Sequence, residues 1–429
     1  MKIIRWNDPD FATQVAALDR RAHPTEAVRT TVSEILDHIR SGGDEALMRL
    51  TARFGGPDFL DSNALRVTPA EFASARKSTD AATHKALQTS YVNVQAFARR
   101  GLREDWEFTN AQGATVGERY RPFERVGIYV PGGSAPLVST ALMTVTLAQA
   151  AGCPQIVVTT PSDREGRIAP ALLAALELAG ATEVYRVGGA QAIAAMGLGT
   201  RTIRPVAKIF GPGNSYVVEA KRQLFGVVAV DLLPGPSEIL VLADDSARPD
   251  WIAADLLAQA EHGGDSAMVL ITTSESVLVN VSIAVAMQVV MLPRQVQLNA
   301  VLEKSARLIL AKDLDHAIDL ANRYAAEHVS LAFRDPRPIG DRITTAGAIF
   351  LGGLSPVAAG DFLAGPSHTL PTGGAGKSFS GLTVDQFQRR TSIIRYDADA
   401  LRKSVDTIEK FSAIEGLDAH GRSAAIRFA

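Results

Sequence analysis

Across the first third of the chain, to about Thr109, apolar residues recur at spacings of three and four. This predicts helices over 26–40, 44–54, 69–78 and 81–100. From Arg125 the texture changes to short β-branched runs at 126–130, 155–160, 182–187, 206–210 and 227–232. Alanine- and leucine-rich stretches at 139–151, 169–178 and 215–225 fill the gaps, with glycine or proline at each junction. Such a βαβ rhythm predicts a mostly parallel, doubly wound sheet. A second series follows, with strands near 238–242, 267–272, 329–333 and 348–351. The apolar stretch 277–292 carries Asn280, Ser282 and Gln288, which makes it a buried helix rather than a membrane span. After about Leu382 charged helical texture returns, with one amphipathic helix expected over 397–414 and a short end over 419–427.

The two series share more than rhythm. Leu147-Ala148-Gln149-Ala150-Ala151-Gly152, running into Ile156-Val157-Val158-Thr159-Thr160, parallels Leu257-Ala258-Gln259-Ala260-Glu261-His262-Gly263, running into Met268-Val269-Leu270-Ile271-Thr272-Thr273. An internal duplication would produce this, though alanine-rich helices before threonine-ended strands also recur by chance.

Composition narrows the function. The 429 residues are 46% hydrophobic with 44 basic and 46 acidic side chains, a balance that draws the chain toward neither nucleic acid nor an anionic membrane. Cys153 is the only cysteine, so one chain builds no disulfide and no cysteine-based metal cluster. A reducing, cytoplasmic setting is expected. The opening Met1-Lys2-Ile3-Ile4-Arg5-Trp6 has too short an apolar run for a secretory signal.

Open α/β sheets bind ligands beyond the carboxyl ends of their strands, so residues just past each strand are the first candidates. No GxGxxG fingerprint lies there. Three other glycine loops do: Pro131-Gly132-Gly133-Ser134, Gly188-Gly189-Ala190-Gln191 and Gly211-Pro212-Gly213-Asn214. Their backbone N–H groups suit a diphosphate, and equally they suit tight βα turns with no ligand. Of eight histidines, His23, His38, His84 and His316 stand in charged helical surroundings that fit solvated or capping roles. His262, His328, His368 and His420 instead lie at element ends beside polar residues or glycine. Gln259 and His262, three apart at a helix end, leave on one face. They could share a metal with a carboxylate such as Asp361, or simply cap a solvated terminus. Glu327-His328 ends a helix expected over 314–326. The pair could handle two protons in one cavity, or be a charged helix end in solvent.

Several segments together resemble the histidinol dehydrogenase family: Arg125-Val126-Gly127-Ile128-Tyr129-Val130-Pro131-Gly132-Gly133, Phe210-Gly211-Pro212-Gly213-Asn214, Gly235-Pro236-Ser237-Glu238, Gln259-Ala260-Glu261-His262, Ala326-Glu327-His328, Gly360-Asp361, Gly365-Pro366-Ser367-His368-Thr369-Leu370-Pro371-Thr372 and Glu415-Gly416-Leu417-Asp418-Ala419-His420. The resemblance implies oxidation of L-histidinol through the aldehyde to L-histidine, the last steps of histidine biosynthesis, with two NAD. It implies one Zn2+ per subunit on Gln259, His262, Asp361 and His420, with His328 as general base and Glu327 activating water. Ser237, His368 and Glu415 match substrate contacts, as do the zinc residues and His328. Tyr129, Gln191 and Asn214 match NAD contacts. The family resemblance further implies a homodimer with intertwined tails and sites completed across subunits.

The fold expected is therefore α/β, with two related Rossmann-like doubly wound domains lacking GxGxxG and small helical terminal regions. An arm, 1–24, is expected to pack with the C-terminal region. Residues 25–125 and 238–381 would form the larger catalytic domain, 126–237 an inserted NAD-binding domain, and 382–429 an exchanged tail reached through the glycine-rich stretch 373–381. One departure from the family pattern is Gly263-Gly264, where an acidic residue and proline are usual. Two other functions compete: a paralogous dehydrogenase of another polyol or sulfonated diol, and a non-catalytic ligand-binding protein. Glu415 and His368 favour histidinol, and the presence of both Glu327 and His328 favours catalysis.

Overall fold

A computed structural model describes residues 1–16, 18–19, 24–132 and 136–429, which leaves His23, Gly133 and Ser134 outside. Each βα series builds one parallel sheet. The first has the order Glu183–Tyr185, Gln155–Thr159, Arg125–Tyr129, Lys208–Phe210, Ala229–Val230. The second has the order Lys2–Arg5, Ala306–Leu310, Ala267–Thr272, Glu238–Ala243, His328–Ala332, Ala348–Leu351. Counted along the chain from Arg125 and from Glu238, both read 3-2-1-4-5, and the two similar sequence segments fall at equivalent helix-to-strand positions.

Both sheets are covered on both faces, which explains their near-continuous apolar strands. In Glu238–Ala243, Ile239 and Val241 face a core shared with Leu256, Leu278 and Leu298. Leu240 and Leu242 face the opposite core, with Ile318, Ala321 and Tyr324. Alternation thus directs every side chain into one of two interiors.

Several elements depart from the sequence pattern. The first two expected helices are one, Glu26–Arg53, kinked at Gly43, whose φ of 50° and ψ of −131° break the helix without ending it. The helices within 26–100 were grouped with 238–381, yet they bury their apolar faces on the five-stranded sheet. Val32, Ile35 and Leu36 share a core with Ile193, Met196 and Val217; Leu87 and Val94 share one with Leu142 and Ile156. The amino-terminal arm, expected to pack with the C-terminal region, has its described strand on the six-stranded sheet instead. It adds Lys2–Arg5 as a parallel edge strand, with Ile4 buried, and Arg5 pairs with Glu275. Helix Glu275–Val289 buries only one face, leaving Ile283 and Met287 exposed. Ala306–Leu310 and helix Gly189–Leu198 were not anticipated, the latter because its glycine and alanine content reads as loop.

The tail differs most. Its glycine-rich stretch is packed rather than free: a Cβ on Gly376 would lie 2.2 Å from the Thr345 carbonyl oxygen, and one on Gly381 2.5 Å from Leu370. Phe387 is fully buried, its ring 3.8 Å from that of Phe210. Only beyond it does the chain leave the core. Gln388–Arg395 pairs antiparallel with Thr115–Pro122, itself paired with Trp106–Thr109. This third sheet escapes the sequence pattern because its edge strands are largely exposed and its central strand is only half-buried on one face, so no apolar alternation marks it. The single helix expected over 397–414 is divided into Ala398–Arg402 and Val405–Glu415, followed by Asp418–Ala425. No helix among the described residues is long and apolar enough to cross a membrane.

Candidate active site

Helix Leu314–Tyr324 stops at Ala325, which has φ 53°, the only non-glycine residue in that region among those described. A left-handed alanine costs about 1–2 kcal/mol. Its effect is to turn the chain sharply, so that Glu327 and His328 meet the amino edge of the six-stranded sheet. There His328–Ala332 lies beside Glu238–Ala243, with His328 opposite Ile239. Register alone therefore places Glu327 against Ser237 and Glu238. Ser237 Oγ donates to Glu327 Oε2 at 2.6 Å and the Glu238 N–H donates to the same oxygen at 2.9 Å. The Glu238 carboxylate accepts from the N–H groups of Glu327 (3.3 Å) and Gly373 (3.0 Å), a bracing role unforeseen in the sequence, where Glu238 stood beside Ser237 without one.

His328 Nδ1 lies 3.1 Å from the Glu238 carbonyl oxygen. A carbonyl only accepts, so Nδ1 carries the proton and Nε2 of the neutral ring is left with its lone pair. Nε2 is buried without a hydrogen-bond partner, 3.6 Å from Asp361 Oδ1. Burial holds the ring below the usual imidazole range, against the opposing pull of Asp361. The same burial pushes Glu327 up to about 8, the hydrogen bonds from Ser237 and Glu238 acting downward.

Asp361 belongs to helix Val357–Phe362, which approaches closely because Gly360 has no Cβ to strike the Phe350 ring at 2.6 Å. The Asp361 carbonyl accepts from His368 Nδ1 at 3.0 Å, and His368 Nε2 accepts from the Thr140 hydroxyl at 3.1 Å. His368 thus ties the six-stranded half to helix Val138–Ala151 of the other. Thr140 carried no sequence signal, being one of several threonines in an apolar helix. Burial lowers His368, and it also lowers His262, which keeps an exposed edge while lying within the influence of Asp361 and His328.

Gln259 and His262 stand at the end of helix Pro249–Ala260, where Gly263 reverses the chain with φ 121°. One end of the Gln259 amide, Nε2, is buried and unpartnered. Among the described residues no three His, Cys, Asp or Glu side chains are gathered to hold a metal by themselves. His420, the fourth ligand the family resemblance implies, stands apart from Gln259, His262 and Asp361. It lines a separate cleft of about 230 Å3 in the tail with Glu415, Phe411 and Ser412.

The NAD candidates lie at the carboxyl edge of the five-stranded sheet. The Tyr129 hydroxyl accepts from the Gly189 N–H at 3.1 Å, and Asn214 Oδ1 caps helix Ser215–Leu224 through the N–H groups of Tyr216 and Val217. Gln191 is buried beside Gly189. Of the loop 131–134, only Pro131 and Gly132 are within the described residues. The NAD candidates thus stand at the strand ends where such groups are sought first, while Ser237 and Glu327 come just before their strands and His328 opens its own, as the helix end expected at 326 implies. Tyr129, Gln191 and Asn214 stand at or beyond the carboxyl ends of strands of the five-stranded sheet, whereas Glu327 and His328 stand where a strand of the six-stranded sheet begins.

A family model described as histidinol dehydrogenase matches residues 18–428. The histidinol dehydrogenase of Xylella fastidiosa is 44% identical over 430 residues, covering 100% of this chain and 99% of its own. That of Geobacillus kaustophilus is 43% identical over 403 residues, 94% of each chain. The crystal structure of histidinol dehydrogenase from Elizabethkingia anophelis superposes with a TM-score of 0.94 at 36% identity, covering 100% of this chain and 98% of that one. With sequence and architecture matched from end to end, this chain belongs to the histidinol dehydrogenase family.

Proposed function

We propose that Glu327 and His328 carry the proton transfers of a four-electron oxidation of L-histidinol, via L-histidinal, to L-histidine. The chain is an NAD-dependent oxidoreductase of histidine biosynthesis. The observation that carries the residue assignment is the proton-free Nε2 of His328, buried, unpartnered and held in that tautomer by the Glu238 carbonyl. A base so placed takes the proton of the substrate hydroxyl as the carbon loses hydride, and takes a second after the aldehyde is hydrated. Glu327, ionised, draws a proton from the water that adds to the aldehyde carbon, while Ser237 fixes its carboxylate. The balance is one alcohol, one water and two NAD+ giving one acid, two NADH and two protons.

NAD supplies the hydride acceptor, and we place it against Tyr129, Gln191 and Asn214. Zinc, where bound, supplies a cation that anchors the substrate nitrogens. The residues present fit it in part: the unpartnered Gln259 amide, His262 and Asp361 make an O/N donor set suited to such an ion. The fourth ligand, His420, and the substrate contact Glu415 come from the tail of a partner subunit in a homodimer; His368 completes the substrate pocket. A cytoplasmic enzyme is the reading consistent with a lone buried cysteine. Counting NADH at complete conversion tests the function: two per histidinol are expected, and a ratio of one, or turnover confined to other alcohols, contradicts it.

A further inference from the structure

Beyond the proposed reacting groups, one buried ion pair lies where the chain leaves the five-stranded sheet for the six-stranded one. Lys221 and Asp231 have fully buried side chains in direct contact. Burying two charges is costly, and a matched apolar pair serves stability as well or better, so the pair invites another explanation. Its hydrogen bonds supply one. Lys221 Nζ donates to the Gly211 carbonyl at 2.9 Å and to the Leu232 carbonyl at 2.9 Å, while Asp231 Oδ2 accepts from the Gly211 N–H at 2.8 Å. Both backbone groups of Gly211 are thereby claimed by one ion pair.

Gly211 is where a strand turns into the loop ending at Asn214. Its φ is 108°, and a Cβ would lie 2.2 Å from the Tyr129 carbonyl oxygen, so the loop is pressed against a second NAD candidate. Leu232 begins the connector to the other sheet. Five residues later Ser237 donates to Glu327, and midway the Gly235 N–H is held by the Thr372 hydroxyl. One clamp thus fixes the NAD-side loop and the segment that orients the Glu327 carboxylate.

We propose that Lys221 and Asp231 are positioning residues for hydride transfer, holding the Gly211–Asn214 loop in register with the connector to Ser237 and Glu327. This rests on placing NAD at Tyr129, Gln191 and Asn214. Neither residue touches substrate; both act through Gly211 and Leu232.

The decisive variant is Lys221→Met with Asp231→Leu, which removes both charges and leaves a buried apolar pair. The full-length variant should keep a urea midpoint near that of wild type while its Kd for NADH, read by fluorescence, rises roughly tenfold, equivalent to about 1.4 kcal/mol. Its kcat for histidinol oxidation should fall even at saturating NAD. A purely structural pair predicts the reverse, an altered midpoint with unchanged Kd and kcat. Asp231→Asn is the second variant should the first fail to fold: it keeps the shape but weakens the hold on Gly211. Faster amide hydrogen exchange over 208–216 together with weaker NADH binding is expected, and wild-type exchange and affinity overturn the proposal. Gln191→Ala serves as reference. If it weakens NADH binding while the pair variants do not, the clamp is wrong and the NAD site stands; if none of them does, the NAD site is misplaced.

Discussion

Around Glu327 and His328 polar groups are bound to one another before any ligand arrives: Ser237, the Glu238 amide, carboxylate and carbonyl, and Gly373 form one network. The tail is built differently. Glu415 and His420 are exposed, they share a cleft with apolar neighbours, and Phe411, Ile414 and Ile426 turn 61%, 69% and 54% of their surface outward. Side chains of that size are rarely left bare in a cluster on a finished surface. The contrast separates preorganisation from assembly. The core half of the proposed site is fixed by folding, whereas Glu415 and His420, which we propose complete it, await a covering surface.

The largest effect should come from separating the halves. Truncation after Tyr396 keeps Gln388–Arg395 in its sheet but removes Glu415 and His420. The kcat/KM for histidinol should fall by about a thousandfold or more, mostly through a raised KM because a substrate-holding interaction is lost from ground and transition states alike, while NADH binding persists. A retained kcat/KM would mean the core half suffices.

Next in size is Glu327→Gln. Removing one general base typically costs about a hundredfold or more, and the loss should fall on the aldehyde step rather than the alcohol step, each assayed with its own substrate. Because burial raises Glu327 to about 8, the carboxylate is protonated below that pH and ionised above it. In the wild type the aldehyde rate should therefore climb as pH approaches 8, and that climb should vanish in the variant. A common pH profile for the two proteins would remove Glu327 from water activation.

The smallest effect concerns Cys153. Aldehyde oxidation can proceed through a thiohemiacetal, but this thiol is buried, sits near the Phe387 carbonyl at 3.7 Å, and is pushed by burial up to about 12. Cys153→Ser should keep turnover within about twofold of wild type. Inactivity in a folded variant would make the cysteine a participant.

The preorganised half was legible in sequence to the extent that it is local. Glu327-His328 and Gln259 with His262 are short spacings at element ends, and the sheet core behind them is written in apolar runs. Glu238 and Thr140 were not legible, because their roles arise from strand register and inter-sheet contact rather than from neighbours in the chain. The strand Gln388–Arg395 was hidden for another reason: none of its residues is fully buried, so it has no buried alternation to read. The arm Lys2–Arg5 shows the same limit, since four residues at a sheet edge carry too little pattern to name their partner.

That the tail completes a partner's site is most directly tested by mixing two inactive proteins, His328→Asn and His420→Asn. In their heterodimer one site gathers both substitutions, while the other has His328 from one chain and His420 from its partner. Random co-refolding makes about half the dimers mixed, each with one intact site of two, so about a quarter of wild-type activity should return. Mixed dimers that form yet stay as inactive as either parent would show that each tail serves its own chain.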